Sequence, residues 1–299
     1  MQIDAPLIMT KVRPARPGED PAIARFLSAH AETTMFMRAG LARFGLAGSD
    51  HPHANTFWVE ERAGEITGVF SRSNAGFVNA CGQGAGFWQG FHDMLQGQSV
   101  SGVNGAADIA EAMRITLGLE NAAYDLNRVE PLYRLSLDKM VDPDPTGSNA
   151  VKIRPPTKED TETLTTWFRA YHVEALGAQD DDALTKIITA RVDQTIATGN
   201  VRLMIENGVP VAMTAFNAQL PDMVQIGGVY TPPESRGQGL ARRVVAAHLK
   251  EVRAQGVKTA ILFASGDAAC RAYEAIGFER IGEYTLAILS NPVTIGARP

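Results

Sequence analysis

The sequence predicts an α+β fold made of two successive domains, each a mixed, mostly antiparallel sheet flanked by helices. Three features lead there. A long-range echo runs through the chain, both halves repeat the order strand, helix, helix, hairpin, and a strand near the C-terminal end runs through a glycine loop into an amphipathic helix.

The echo comes first. Val12-Arg13-Pro14 leads to Glu19-Asp20, and Ile153-Arg154-Pro155 leads to Glu159-Asp160. Helical patterns follow at residues 21–32 and 161–174, ending in His30-Ala31-Glu32 and His172-Val173-Glu174. Hairpins are then predicted to turn at Ala63-Gly64 and Asn207-Gly208, and Asn-Gly is a strong turn signal. The matches keep their order at a nearly constant offset, far longer than a solenoid repeat, so a duplicated domain is expected. Asp142-Pro143-Asp144-Pro145-Thr146-Gly147-Ser148-Asn149 is polar, rich in turn formers and aperiodic. It divides the chain into a first domain at 11–141, a linker at 142–150 and a second domain at 151–292. In the second half the pattern continues with a strand at 223–230, a helix at 239–254 stopped by Gly256, a strand at 259–264, a helix at 268–276 and a strand at 284–289.

Composition narrows the functional classes. The chain has 299 residues, 45% hydrophobic and 20% charged, which provides for a sizeable core and argues against disorder. A net charge of −5 with scattered Lys and Arg offers no basic stripe for nucleic acid. Cys81 and Cys270 form neither a metal-binding pair nor a disulfide framework and read as reduced thiols. No basic leader is evident, and no apolar run reaches the ~20 residues that span a bilayer. The expectation is a cytoplasmic protein with no membrane or nucleic-acid partner. His51-Pro52-His53 is not read as a metal site, and Asp180-Asp181-Asp182 is read as the cap of a following helix.

The chemistry concentrates in Thr231-Pro232-Pro233-Glu234-Ser235-Arg236-Gly237-Gln238-Gly239-Leu240-Ala241. Two prolines delay the helix, and the glycines let backbone N–H groups approach a ligand with no Cβ in the way. Leu240, Val244, Val245, Leu249 and Val252 give the helix an apolar face. Its open N-terminus is an anion site, with Arg236 and Arg242 placed to add charge. No Lys-Ser/Thr follows, so it is not a P-loop, and Arg242 stands where a dinucleotide fingerprint needs its last glycine. Taken alone, the loop is either a plain turn or an anion site.

Two motifs together resemble the GNAT superfamily of acyl-CoA N-acyltransferases. Arg236, Gly239 and Ala241 fit the family's pyrophosphate pattern, and Gly227-Gly228-Val229-Tyr230 resembles the strand before it. Asp267-Ala268, Ala272-Tyr273-Glu274 and Gly277-Phe278 resemble its second motif. The resemblance implies acetyl-CoA as the cofactor, with Val229, Tyr230 and Thr231 along the pantetheine arm. It places Arg236, Gly237, Gln238, Gly239, Leu240, Ala241 and Arg242 on the pyrophosphate and Ala268 beside the cofactor. It implies Tyr273 as general acid toward the leaving thiol, and transfer of an acetyl group to a primary amine by direct attack in a ternary complex. Asp267 stands where many relatives have Asn and is read as a helix N-cap. Glu174 is put forward as the general base, with His172, Gln225 acting through water, and Glu234 as other candidates and bulk water, through a chain, as the alternative. The acceptor is expected to be a small-molecule amine and the protein a monomer or homodimer.

The first half lacks the motif. Its counterpart is sought at 97–106, where neither the arginine nor the spacing recurs, and Gly82-Gln83-Gly84-Ala85-Gly86 is read as a flexible loop. This half resembles the degenerate N-terminal domain of tandem GNAT proteins. The rival functional class is a non-catalytic acyl-CoA sensor or interaction module.

Overall fold

In a computed structural model, which describes residues 11–144 and 151–296, the chain divides into two compact units. The first runs to Val129 and resumes at Glu283, and the second spans Glu130–Gly282.

The first unit contains β1 (Lys11–Pro14), α1 (Asp20–Ser28), α2 (Met35–Phe44), β2 (Asn55–Arg62), β3 (Glu65–Ser73), β4 (Phe77–Cys81), α3 (Ala85–Leu95), β5 (Ser99–Ala106) and α4 (Ala107–Leu117). The strand β6 (Tyr124–Ser136) passes from the first unit into the second. The second unit continues with β7 (Lys152–Arg154), α5 (Thr161–Leu176), α6 (Asp182–Thr198), β8 (Val201–Glu206), β9 (Val209–Gln219), β10 (Met223–Tyr230), α7 (Leu240–Ala254), β11 (Thr259–Phe263) and α8 (Asp267–Glu274). The final strand β12 (Glu279–Thr294) returns to the first unit.

The two units share an order of elements and a pairing scheme. In the first the sheet runs β1-β2-β3-β4-β5-β12, antiparallel except for the parallel β4/β5 pair. In the second it runs β7-β8-β9-β10-β11-β6, antiparallel except for the parallel β10/β11 pair. Each sheet is completed by a strand drawn from the other half of the sequence. The compact units have other limits than the expected domains at 11–141 and 151–292, because residues 132–136 pair with β11 and residues 284–288 and 293–294 pair with β5. Residues 145–150 of the expected linker lie outside the described residues.

The echo has a physical cause. Arg13 holds Glu19 through two bonds of 2.9 and 2.7 Å, and Arg154 holds Asp160 through two of 2.7 and 2.8 Å. In both units the first strand's arginine thus forks onto a carboxylate six residues on, where the first helix begins. The equivalent of Glu19 is Asp160, one place beyond the match drawn from sequence. Asp160 is buried and also accepts from the Thr157 backbone N–H at 2.7 Å, which closes a capping box. Arg154 holds its carboxyl below the usual range. We expect Asp160→Asn to cost ~2 kcal/mol of stability at neutral pH, read from a urea midpoint. The wild-type advantage is complete above the ordinary carboxylate pKa and is lost as pH falls through the depressed one. Midpoints that stay equal at pH 7 would remove this account of the echo.

The two helical pairs cover opposite faces of the second unit's sheet. Leu164, Phe168, Leu184, Ile188 and Val192 of α5 and α6 pack with Leu203, Met213 and Tyr230. Val244, Val245, Leu249 and Val252 of α7 pack with Phe216, Val224 and Ile226. Each such fully buried aliphatic side chain contributes roughly 1.5–3 kcal/mol, so the apolar stripe on α7 fixes which way its N-terminus faces. Both hairpins turn as expected, with positive φ at Ala63, Gly64, Asn207 and Gly208. Asp181 caps α6 by accepting from the Leu184 N–H at 2.9 Å, while Asp180 pairs with Arg169.

In the first unit the connection between β4 and α3 is Gly82-Gln83-Gly84, which makes this segment the topological counterpart of the loop between β10 and α7, in place of 97–106. It is too short to form a similar cradle. A Cβ on Gly82 would lie 2.5 Å from the Phe87 ring, so the aromatic occupies the space beneath it.

Candidate active site

Strand β10 is parallel to β11 only from Met223↔Thr259 to Ile226↔Leu262. Beyond Ile226 it continues to Tyr230 against β9 alone, with a register shift between Gly227 and Tyr230. Gly228 has φ +59°, a conformation that suits glycine. The shift and the end of pairing leave Val229 and Tyr230 with a main-chain edge not taken up by β11. Tyr230 itself is buried against Trp167, ring centroids 6.0 Å apart. The hydroxyl of Thr231 is buried and has no hydrogen-bond partner, although a buried hydroxyl normally finds one.

The chain then makes a short turn at Pro233–Ser235, where Glu234 is exposed, and passes Gly237 (φ +77°) and Gly239 (φ +71°) before α7 begins. Leu240 is deeply buried and anchors the helix start, so this residue has a backbone N–H alone to offer. Ala241 is half-buried, while Arg236, Gln238 and Arg242 are exposed. A Cβ on Gly239 would approach Arg242 Nε to 3.1 Å, so Arg242 folds over the glycine. Arg236 donates to the Thr231 carbonyl at 3.0 Å and to Glu174 at 2.6 Å, with its guanidinium 5.8 Å from the Tyr230 ring centre.

These residues fit an acyl-CoA. The orphaned Thr231 hydroxyl and the open strand edge can bond an amide-bearing arm, and the helix start with Arg236 and Arg242 can meet a pyrophosphate. The Arg236–Glu174 pair is no obstacle. Its side chains are 48% and 45% exposed, and such a pair is worth about 0–1 kcal/mol. A phosphate can displace or share it.

Tyr273 lies on α8, 8% exposed and edge-on to Phe278 at 5.9 Å. Among the described residues it has no hydrogen-bond partner. Burial pushes its phenol well above the ordinary value, with smaller contributions from Tyr171 and Cys270. On the same element Glu274 accepts from Tyr133 at 2.6 Å, tying α8 to β6. Asp267 is not the N-cap that the sequence suggests. Gly266 takes that place (φ +84°), with Asp267 the first helical residue and Ala268 exposed beside it. The residue before the helix needs positive φ, which disfavours aspartate.

The candidate bases fall into different settings. Glu174 is committed to Arg236 and is brought to the phosphate loop. His172 is buried within α5, and its Nδ1 donates to the Phe168 carbonyl at 2.8 Å; burial and Arg191 hold its pKa below the ordinary value, so it is neutral at pH 7. The matching His30 sits exposed in the turn after α1, so this part of the echo reflects spacing alone. Gln225 is buried, donates from Nε2 to the Ile226 carbonyl at 2.7 Å, and leaves its Oε1 without a partner.

Sequence reasoning overlooked Arg191 and Asn217 beside the β10 bulge, and Tyr171 on α5. The legible signal was Arg191, a charge on the stripe of α6 that otherwise carries Leu184, Ile188, Val192 and Thr195.

The sequence profile of the acetyltransferase (GNAT) family matches residues 161–278. Residues 161–278 are a GNAT-family domain. No curated protein sequence matches the chain. Among solved structures, a Drosophila protein superimposes with a TM-score of 0.61 at 13% identity, over 94% of this chain and 99% of its own. A tandem GNAT protein from the clavulanic acid biosynthesis pathway gives 0.55 at 15% identity, over 97% and 100%. A GCN5-related N-acetyltransferase from Sphaerobacter thermophilus gives 0.54 at 17%, over 93% and 94%. At these identities the likeness concerns fold, and its coverage takes in the N-terminal unit as well as the GNAT domain. The family's general activity is acyl transfer from acetyl-CoA. No helix among the described residues is long and apolar enough to cross a membrane, and none of their His, Cys, Asp and Glu side chains form a group of three or more placed to hold a metal.

Proposed function

We propose that the protein transfers an acetyl group from acetyl-CoA to a primary amine of a small molecule, by direct attack within a ternary complex. The observation that carries this reading is the convergence, in one unit, of the glycine loop, the open end of β10 and Tyr273. Bound there, acetyl-CoA supplies an activated thioester. Val229, Tyr230 and Thr231 bond its arm, the segment from Arg236 to Arg242 holds the pyrophosphate, and Ala268 borders the cofactor without adding bulk. Tyr273 serves as the acid, directing its hydroxyl proton to the departing sulfur. A phenol less acidic than a thiol acts chiefly by hydrogen-bonding the thiolate, with the proton following as the amine's own proton is released. Glu174 steadies Arg236, and the amine proton leaves to water.

The test is paired. Saturating acetyl-CoA is expected to raise the melting temperature through linkage, and CoA thiol is expected to appear on addition of a suitable amine. A shift without turnover on any amine would move the reading to a non-catalytic acyl-CoA sensor. Absence of a shift would defeat both.

A further inference from the structure

Arg191 projects from the buried stripe of α6 to the place where β10 parts from β11. Its guanidinium carbon lies 4.7 Å from the centre of the Phe168 ring. A Cβ on Gly228 would be 3.5 Å from its Nη2. Among the described residues no carboxylate pairs with it. Glu174 of α5 is engaged with Arg236, and Asp180, just before α6, with Arg169. Arg191 is half-buried, so its guanidinium keeps its charge at some cost in hydration, with no carboxylate beside it to offset that cost. An anion arriving with a ligand would relieve that cost.

Other polar groups stand near Arg191. Tyr171, on α5, is near enough to act electrostatically on both Arg191 and Tyr273. Asn217, exposed on β9, holds its amide where a Cβ on Gly227 would stand, 2.0 Å from Nδ2. A lone cation here also repels an ammonium group, so a plain alkylamine would bind poorly. An amine that carries its own negative charge satisfies Arg191, and the positive field favours the neutral amine that attacks.

Resting on the acetyltransferase reading, we infer that Arg191 is the specificity residue of the acceptor subsite, and that it binds a carboxylate carried by the amine substrate. A single guanidinium beside a neutral His172 matches one planar monoanion through two parallel bonds. A phosphate dianion would call for a second cation.

The experiment measures CoA-thiol release with aminocarboxylates of increasing length (glycine, β-alanine, γ-aminobutyrate), with their carboxamides, and with the matching aminoalkylphosphonates. The best aminocarboxylate is expected to exceed its amide by roughly ten- to hundredfold in kcat/KM. Arg191→Gln should abolish that ratio, mainly through KM, and leave the acetyl-CoA-induced rise in melting temperature intact. Arg191→Lys should restore part of the discrimination. Equal rates for acid and amide, a ratio unchanged in Arg191→Gln, or preference for the phosphonate would overturn the assignment. Turnover of none of these compounds, with acetyl-CoA still bound, would count against the amine-transfer reading instead. The carboxylate subsite is then judged by the thermal shift these compounds produce on the CoA-loaded protein, where equal shifts for acid and amide, or for wild type and Arg191→Gln, overturn it.

Discussion

Tyr273→Phe is expected to lower kcat about hundredfold while leaving the acetyl-CoA-induced thermal shift unchanged. The substitution removes one hydroxyl and keeps the ring that packs on Phe278, so the fold and the cofactor cradle should persist. The pH profile gives a second, independent sign. Burial raises the phenol's pKa, so the wild-type hydroxyl keeps its proton throughout the neutral and moderately alkaline range. The rate should rise as the acceptor amine loses its proton and then level off, with no falling limb before pH ~10. An unchanged kcat in the variant, or a falling alkaline limb that vanishes with it, would show that the hydroxyl plays another part.

The second large effect concerns stability. His248 lies on α7, 2% exposed, stacked on Phe216 with ring centroids 3.8 Å apart. Its Nδ1 is buried without a hydrogen-bond partner. Burial, assisted by Arg202, pushes its pKa down to about 3. The folded protein therefore keeps this ring neutral where the unfolded chain, with a pKa of about 6.5, takes up a proton. Stability from this group is complete above pH ~6.5 and is lost as pH falls toward the folded value, by about 2 kcal/mol at pH 5. His248→Phe keeps a stacking ring and removes the titration. Its urea midpoint should stay nearly level between pH 7.5 and 5, where that of the wild type declines. Parallel slopes would show that His248 is not what makes the protein acid-sensitive. Comparison of slopes also separates the titration from any repacking cost of the larger ring.

Much of the second half was legible because its signals are local. The strand Met223–Tyr230 and the helix Leu240–Ala254 match their expected ranges within a residue. Alternation of apolar residues, the prolines of the turn and the glycines at positive φ all act within a few positions. Asp267 was misjudged at the same scale, since a helix start at Gly266 depends on a positive φ that residue type alone does not announce. Which sheet a strand joins lay out of reach for a different reason. The strand at Glu130–Ser136 reads the same whichever sheet receives it, and only pairing with β11 decides. Long-range ion pairs were equally out of reach, as Glu174 and Arg236 stand 62 residues apart.

By itself, the sequence determined the α+β class, the duplication, the two hairpins and the glycine loop before α7, because each rests on backbone preference and periodicity over short spans. The tertiary structure alone decided which strand closes each sheet, that Glu174 faces Arg236, that His248 is sealed against Phe216 and that Arg191 stands unpaired at the β10 bulge. Those outcomes depend on which distant side chains share a desolvated space, where an unpaired charge or a neutral imidazole acquires a meaning it does not have along the chain.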